Sequence, residues 1–362
     1  MNIGLISYKD YFPKIGKGCI IEVTATVIGN TVLGLKNILK DRVVLRGDGA
    51  EIIVGNEVTF LDRSTVHVAS DFMGSYIGDY SIVGRFSLVH ACKIGKSVII
   101  GDQAIIMDGS EIGDNCIITA NSLIPPGKTF PKNTLISGAP AKAMRTIENK
   151  EYNKLKSEIL FSSDLSKSQV RSRLDGEDPL AELGIEPWVN YNKGIEQISP
   201  KAFVASDAII RGDIIVGDRA SLWFATILSS LPGGSISIGE GSNIQDNTII
   251  DVNTKSLIIG DRVTVGHNVR LGACTIGDNC LIGMGCTIED GAIIEENAFV
   301  GARAIIKANT VVKANTIFAG RPASYFRYVK EEEVKFFRMG QEIYEGFAAD
   351  YLQELGSRKQ KD

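Results

Sequence analysis

A branched aliphatic residue returns at every sixth position through most of this 362-residue chain. Ile15, Ile21, Val27 and Leu33 open the run, and Ile77, Val83, Ile94, Ile100, Ile106, Ile112, Ile118 and Ile124 continue it. The rule returns later with Val216, Leu222, Ile238, Ile244, Ile250 and Ile259, then from Val265 and Ile276 to Ile306. A period of six suits neither the 3.6-residue turn of a helix nor the two-residue alternation of one long strand. It suits a solenoid of short strands, one per face and three faces to a coil, with the aliphatic side chains stacked in a dry column. Glycine often follows the aliphatic residue and is expected at corners that need a positive φ.

The repeat is interrupted once and closed once. Residues 148–174 are charged and carry Tyr152, Leu155, Ile159 and Leu160 at helical spacing. Residues 330–355 read as a second helix, with Val334, Phe337, Ile343, Phe347 and Tyr351 available to pack on a solenoid wall. The expected organisation is a first repeat domain over 1–146, a helical linker over 147–187, a second repeat domain over 188–328 and a C-terminal helix over 329–362. Seven coils at ~4.8 Å make a domain ~34 Å long, and 27 helical residues span ~40 Å. The linker can therefore return the chain to its starting end and lay the second solenoid parallel to the first.

Cys19, Cys92, Cys116, Cys274, Cys280 and Cys286 each lie two residues before the aliphatic residue of their repeat. Spacing by six puts consecutive ones on different faces, so they are read as reduced core residues. A net charge of −4 lacks the basic footprint of a nucleic-acid binder. No apolar run reaches the 18 residues of a membrane span, and the first residues lack a signal-peptide core or an Arg-rich transit pattern. The expected location is the cytoplasm, with no nucleic-acid partner and no membrane span.

The chain has three histidines, His67, His90 and His267. His67 follows Val66 and His90 follows Val89, the same offset within their repeats. If Asp71 to Ser75 bulges out as a loop, three repeat steps separate the two, which is one coil. They would then stack about 4.8 Å apart on one edge and could share a metal. His267 follows Val265 and Gly266, a different offset that suits the other edge.

Several phrases carry a family resemblance. VVLRGD, FLDRSTVH and SIVGRFSLVHACKIG in the first half, and SNIQDNTIID and VTVGHNVRLGACTIGDNCLIGMGC in the second, resemble the γ-class carbonic anhydrases of the hexapeptide transferase superfamily. ISGAPAKAMR (136–145) and FAGRPASYFR (318–327) are similar to the segment that ends that family's repeat domain. The resemblance covers roughly residues 12–145 and 195–325. It implies a mainly β protein of two left-handed parallel β-helix prisms in tandem, each followed by an α-helix.

In that family three histidines bind zinc at the seam between adjacent prisms, the first and third from one prism and the second from its neighbour. Carried onto this chain, His67 is the first ligand and His90 the third, while Arg85 stands at the second position of that half. The other half has Asp251, His267 and Gly272 at the three positions. Neither half holds a full set, and together they hold one. The resemblance thus implies one metal per chain, zinc or else iron or cobalt, bound by His67, His90 and His267. It implies that Gln245 orients the attacking water, and that Arg46, Asp48, Asp62 and Asp246 support the interface.

The activity so implied is reversible hydration of CO2 to bicarbonate by a carbonate dehydratase. Gly49 stands where some members carry a proton-shuttling acid, leaving Glu51, Asp71 and Asp246 as substitutes. Two alternatives stand beside it. One is a noncatalytic scaffold subunit of a mixed trimer. The other is an acyltransferase that uses acyl-CoA, with His67 or His90 as general base. The implied partners are further copies of the chain or a homologous β-helix subunit, because two prisms leave one place of a three-prism ring unfilled.

Overall fold

The computed structural model describes residues 4–148, 150–160 and 196–355. It is mainly β, a solenoid of many short parallel strands with two helices. Each strand pairs with the one a full coil later: Val66 lies beside Val89, Val89 beside Ile106, and Ile106 beside Ile124. The aliphatic residue of each repeat points inward, and these rows are buried through the stack from Val27 on, with Ile15 and Ile21 partly buried at its start. Burying a branched side chain from each coil contributes roughly 1.5–3 kcal/mol per residue.

Glycine takes some of the corners as expected, with φ of 65°, 64° and 74° at Gly241, Gly285 and Gly291, and also serves a second purpose. The glycines that directly follow the aliphatic residue do not have a positive φ; they lie where the next coil's backbone passes close by. A Cβ on Gly283 would come 2.6 Å from the nitrogen of Ala302, and one on Gly84 2.6 Å from the carbonyl carbon of Gly101. The left-handed corners are taken instead largely by residues such as Asn279, Asn297 and Asn315, with φ of 56°, 55° and 59°. Asparagine tolerates that region better than most L residues.

The sheets fall into two sets that share no strand. One holds a 12-stranded and an 8-stranded sheet built from strands between Leu5 and Thr146; the other holds 7-, 8- and 6-stranded sheets built from strands between Glu196 and Tyr328. The 12-stranded sheet is continuous because Val44–Val54 is long enough to turn a corner. Its first part pairs with Thr65–His67 and its last part with Ser75–Ile77. Arg46, His67 and His90 therefore lie side by side on three neighbouring strands.

Corner residues join the two sets. Thr65 donates its hydroxyl to Asn268 Oδ1 at 2.9 Å, and the Asn268 amide donates to the Phe86 carbonyl at 2.9 Å. Asn247 donates to the Thr65 hydroxyl at 3.0 Å, Thr26 to Asp207 at 3.0 Å, and Arg303 to Asn121 at 2.5 Å. The Thr26, Asn268 and Arg303 contacts join residues 181 to 182 positions apart, so the sets run parallel and in step.

Helix 150–160 packs Tyr152, Leu155 and Ile159 on Ile99, Ile117 and Leu135 of the first set. Residues 149 and 161–187 of the expected linker, 188–195 of the expected second repeat domain and 356–362 of the expected C-terminal helix lie outside the described residues. Helix Glu331–Leu355 packs on the second set, with Phe337 against Phe299 at 5.0 Å and with Phe347 and Tyr351 buried. It then crosses to the first set, where Tyr351 donates to Asp48 at 3.2 Å and Asp350 accepts from Tyr8 at 2.8 Å. No described helix is long and apolar enough to cross a membrane. All six cysteines are free, and all but Cys19 are buried.

Candidate metal centre

The row Arg46, His67, His90 ends at the junction, and the second set brings Asp246 and His267 against it. One ring nitrogen from each of His67, His90 and His267 lies within 4.8 Å of the others, and all three residues are buried. The closest pair, His67 Nδ1 and His90 Nε2, is 3.3 Å apart. Two nitrogens bound to one tetrahedral zinc at 2.0–2.1 Å would stand about 3.4 Å apart. That pair is already at ligand spacing, and a His267 ring nitrogen lies within 4.8 Å of both.

A carboxylate stands behind each ring. Asp48 Oδ1 is 3.1 Å from His67 Nε2, and Asp108 Oδ1 is 2.6 Å from His90 Nδ1. Asp246 Oδ2 is 3.1 Å from His267 Nδ1 but off the axis of its N–H, so this contact is electrostatic and not an aligned hydrogen bond. A carboxylate draws the ring proton to the nitrogen it faces and leaves the opposite nitrogen as a lone pair. His67 Nδ1 and His90 Nε2 then face each other as two acceptors with no proton between them. A cation placed there removes the conflict.

Arg46 holds this arrangement together. Its Nη1 donates to Asp48 at 2.5 Å, its Nε to Asp246 at 2.9 Å and its Nη2 to the Tyr344 hydroxyl at 2.9 Å. The guanidinium also stacks on Trp223 at 4.3 Å and is fully buried. One guanidinium against three carboxylates leaves the cluster two charges negative when the imidazoles are neutral. A divalent cation neutralises it.

His67 and His267 are held neutral. Burial pushes His267 down to about 4, Asp246 opposes the shift and Arg46 adds to it. His67 is pushed well below the usual histidine range, first by burial and then by Arg46 and His267. Burial raises Asp246, yet Arg46 and His267 outweigh it and keep the carboxylate below its ordinary range. Burial pushes the Tyr344 phenol up, so it stays protonated, with its oxygen 3.3 Å from His267 Nε2. At neutral pH His67 and His267 thus offer neutral nitrogens, and three imidazoles are a donor set that suits zinc and related divalent metals.

Of the residues read from the sequence, the structure brings together His67, His90, His267, Arg46, Asp48 and Asp246. Asp62 is not among them: it pairs with Arg85 at 3.5 Å, both about one-third exposed, which are the counterparts of Asp246 and His267 in the first half. Gln245 is buried beside Asp246 in the chain. Its amide donates to Asn243 at 3.1 Å, and among the described residues no hydrogen bond joins it to the three histidines. Glu51, one of the substitute shuttles, accepts from Tyr76.

Three participants had not been singled out for the site: Asp108, Trp223 and Tyr344. Asp108 stands one coil after His90, close to the coil-to-coil step of the strand pairing, so the period could have found it. Tyr344 comes from the C-terminal helix, and nothing in the repeat points to it.

The bacterial transferase hexapeptide repeat matches residues 91–126 and 256–290, and the hexapeptide repeat of succinyl-transferase matches 291–308. Gamma carbonic anhydrase 3, mitochondrial, of Arabidopsis thaliana is 47% identical over 160 residues, 42% of this chain and 62% of that protein. The chain belongs to the γ-carbonic-anhydrase-like hexapeptide-repeat family. A carbonic anhydrase of Geobacillus kaustophilus is 38% identical over 24% of this chain and 47% of its own length. The chain thus spans roughly half of these relatives, between 47% and 62% of their length.

Among solved structures, a hexapeptide transferase family protein from Anaplasma phagocytophilum is 37% identical over 43% of this chain and 93% of its own, with a TM-score of 0.41. A protein from Desulfovibrio desulfuricans named as an acetyltransferase is similar in fold across 99% of this chain and 85% of its own. Its identity is 12% and its TM-score 0.59.

Proposed function

We propose that this chain hydrates CO2 reversibly at a single divalent metal centre, with zinc as the first candidate, bound by His67, His90 and His267. In this reading residues 1–146 and 188–328 are two left-handed prisms, and the centre lies on the seam between them. The observation that carries it is the convergence of three buried ring nitrogens, each ring backed by its own carboxylate. The γ-carbonic-anhydrase relatives support the same chemistry.

When bound, a divalent metal here supplies Lewis-acid activation of water, bringing its pKa toward 7. The rest falls to the chain's own residues. Asp48, Asp108 and Asp246 hold the ring protons outward, so that three lone pairs face one point. Arg46 fixes Asp48 and Asp246 and donates to the Tyr344 oxygen, which turns the Tyr344 O–H toward His267 Nε2 at the centre. Asp48 and Asp246 are fully buried, whereas the Asp108 side chain is 43% exposed. The Asp108 side is where CO2 enters and the proton leaves.

Arg85 and Asp62 occupy the corresponding edge of the first prism. In this reading that edge meets a further β-helix, from another copy or a homologous subunit, which native mass spectrometry would detect as a defined complex.

Metal analysis of the purified protein tests the site. One metal per chain is expected, lost in His267→Ala with the circular dichroism unchanged. Metal content untouched by that substitution refutes the shared centre. Stopped-flow hydration of CO2 by the metal-loaded protein separates the enzyme from the scaffold: a rate equal to the buffer rate sinks the anhydrase reading.

A further inference from the structure

Equivalent corners of the two sets touch each other. Arg63 follows Asp62 as Asn247 follows Asp246, and Arg63 Nη1 donates to Asn247 Oδ1 at 3.4 Å. Phe86 follows Arg85 as Asn268 follows His267, and the Asn268 amide donates to the Phe86 carbonyl at 2.9 Å. Points that meet their own counterparts lie close to the axis of a rotation, so the second set is the first turned about a line near these corners. On one side of that line His67 and His90 of the first set face His267 of the second. The other side belongs to the edge of Arg85 and Asp62 in the first set and to the 6-stranded sheet of the second.

The outward row of that sheet runs Ile209, Ile227, Ile249, Arg270, Thr287 and Ile305. Its counterpart in the first set runs Thr26, Val44, Thr65, Leu88 and Ile105, none more than 3% exposed. Corners of the second set cover that first row. Thr26 donates to Asp207 and Thr65 to Asn268, and a Cβ on Gly285 would come 2.5 Å from Ile105 Cδ1. The second row is not sealed in this way: its four isoleucines are partly exposed and Arg270 is exposed. The chain's own junction thus shows what fits such a row, the corner of a β-helix that offers one residue per coil.

Charge decides between partners. Arg63 and Arg270 hold their guanidinium carbons 5.5 and 5.0 Å from the centre of the Phe86 ring. Burial first, then Arg42 and Arg270, push the Arg63 guanidinium down to about 10, and Asp207 opposes them. Asp207 already accepts from Thr26 and from the Ala225 backbone N–H. Among the described residues no ion pair joins Arg42, Arg63 or Arg270 to a carboxylate. A second copy would bring the same three arginines to the line whichever set it offered, because both of its sets meet there, and like charges set against each other exclude a partner. We propose that a β-helix subunit of different sequence seats between the edge of Arg85 and Asp62 and the row from Ile209 to Ile305, and places a carboxylate between Arg63 and Arg270. This rests on the reading above of two prisms with a further β-helix beside them, and adds that the partner is not this chain and that its corner is acidic.

The experiment places the photo-crosslinker p-benzoylphenylalanine at Thr287 on the row, and in a second variant at Gln103, an exposed corner whose N–H bonds the Arg85 carbonyl. Each is made as the full chain in the cells that produce it, and the crosslinked peptides are sequenced by mass spectrometry. Both probes should capture one protein other than this chain, in a segment with an aliphatic residue at every sixth position and an Asp or Glu at a corner. Arg63→Glu combined with Arg270→Glu should cut both yields about tenfold or more, while Arg63→Lys combined with Arg270→Lys keeps most of them, with circular dichroism unchanged in both. Metal per chain is read on the same samples. Adducts intact without metal count against the metal centre alone, and adducts absent with metal retained count against the partner alone. The proposal is overturned by an adduct with a second copy, with residues 161–195 of the same chain or with a protein lacking the six-residue period. It is overturned equally by different proteins at the two probes, by yields that ignore the charge reversal, and by no adduct above that of the same probe at Tyr76.

Discussion

Asp108→Asn isolates the ligand-orienting role of a carboxylate from its part in folding. Asp48 and Asp246 are fully buried against Arg46, so replacing either disturbs the junction itself. Asp108 has a 43% exposed side chain and pairs only with His90, at 2.6 Å. A pair at such a position contributes about 0–1 kcal/mol to stability, and thermal unfolding of the metal-free variant should stay close to that of the parent. The effect falls on His90. Facing a carboxylate, its ring must carry the proton on Nδ1 and offer Nε2 to the centre, 3.3 Å from His67 Nδ1.

An amide can present its NH2 to Nδ1 instead, which shifts the ring proton to Nε2 and aims it into the cluster. Losing an outer partner of this kind lowers metal affinity about 10- to 100-fold, about 1.4 to 2.7 kcal/mol. Competition of zinc between the metal-free protein and a chromophoric chelator at neutral pH reads that number directly. Asp62→Asn is the control, because Asp62 pairs with Arg85 and not with the histidines. An Asp108→Asn affinity within about twofold of the parent, where about 10-fold or more is expected, refutes the tautomer argument. So does an equal loss in Asp62→Asn.

Further outcomes follow from the same cluster. In the metal-free protein the folded His267 titrates at about 4 against 6.5 when unfolded, so the unfolded chain binds more protons between those values. Stability is full above about pH 6.5 and declines as pH falls toward 4, by about 3 kcal/mol for this one group. Denaturant midpoints that do not fall between those pH values contradict it. Arg46→Leu leaves Asp48 and Asp246 buried without their cation and should destabilise the junction by about 3–5 kcal/mol. Excess zinc should restore part of that loss, and hydrogen exchange at Asn247 and Asn268 would locate it.

The sequence showed which residue types repeat and at what interval, and that was enough to read the inward rows. Val83, Ile100 and Ile118 lie in the core for the reason their spacing implied. The pairing of His67 with His90 was legible too, because equal offsets within the repeat become neighbouring strands. For Asp62 and Gln245 the spacing gave a position but not a partner: Asp62 pairs with Arg85, and the Gln245 amide donates to Asn243. The glycine corners were legible only in part, because a residue without a side chain serves close approach, as at Gly84 and Gly283, as well as positive φ, as at Gly285.

By itself the sequence determined a solenoid of short strands, its division into two repeat regions, and the complementary loss of histidines between them. Each of these is local, since it depends on spacing within one coil or one turn of chain. Only the tertiary structure decided that His267 meets His67 and His90. That meeting depends on corner side chains such as Asn247 and Asn268 bonding across about 180 residues of chain, and no interval in the sequence encodes which corner faces which. The same holds for Tyr344, whose helix must cross the junction before its hydroxyl reaches His267, and for the outward row of the 6-stranded sheet, which is continuous only when successive coils are stacked.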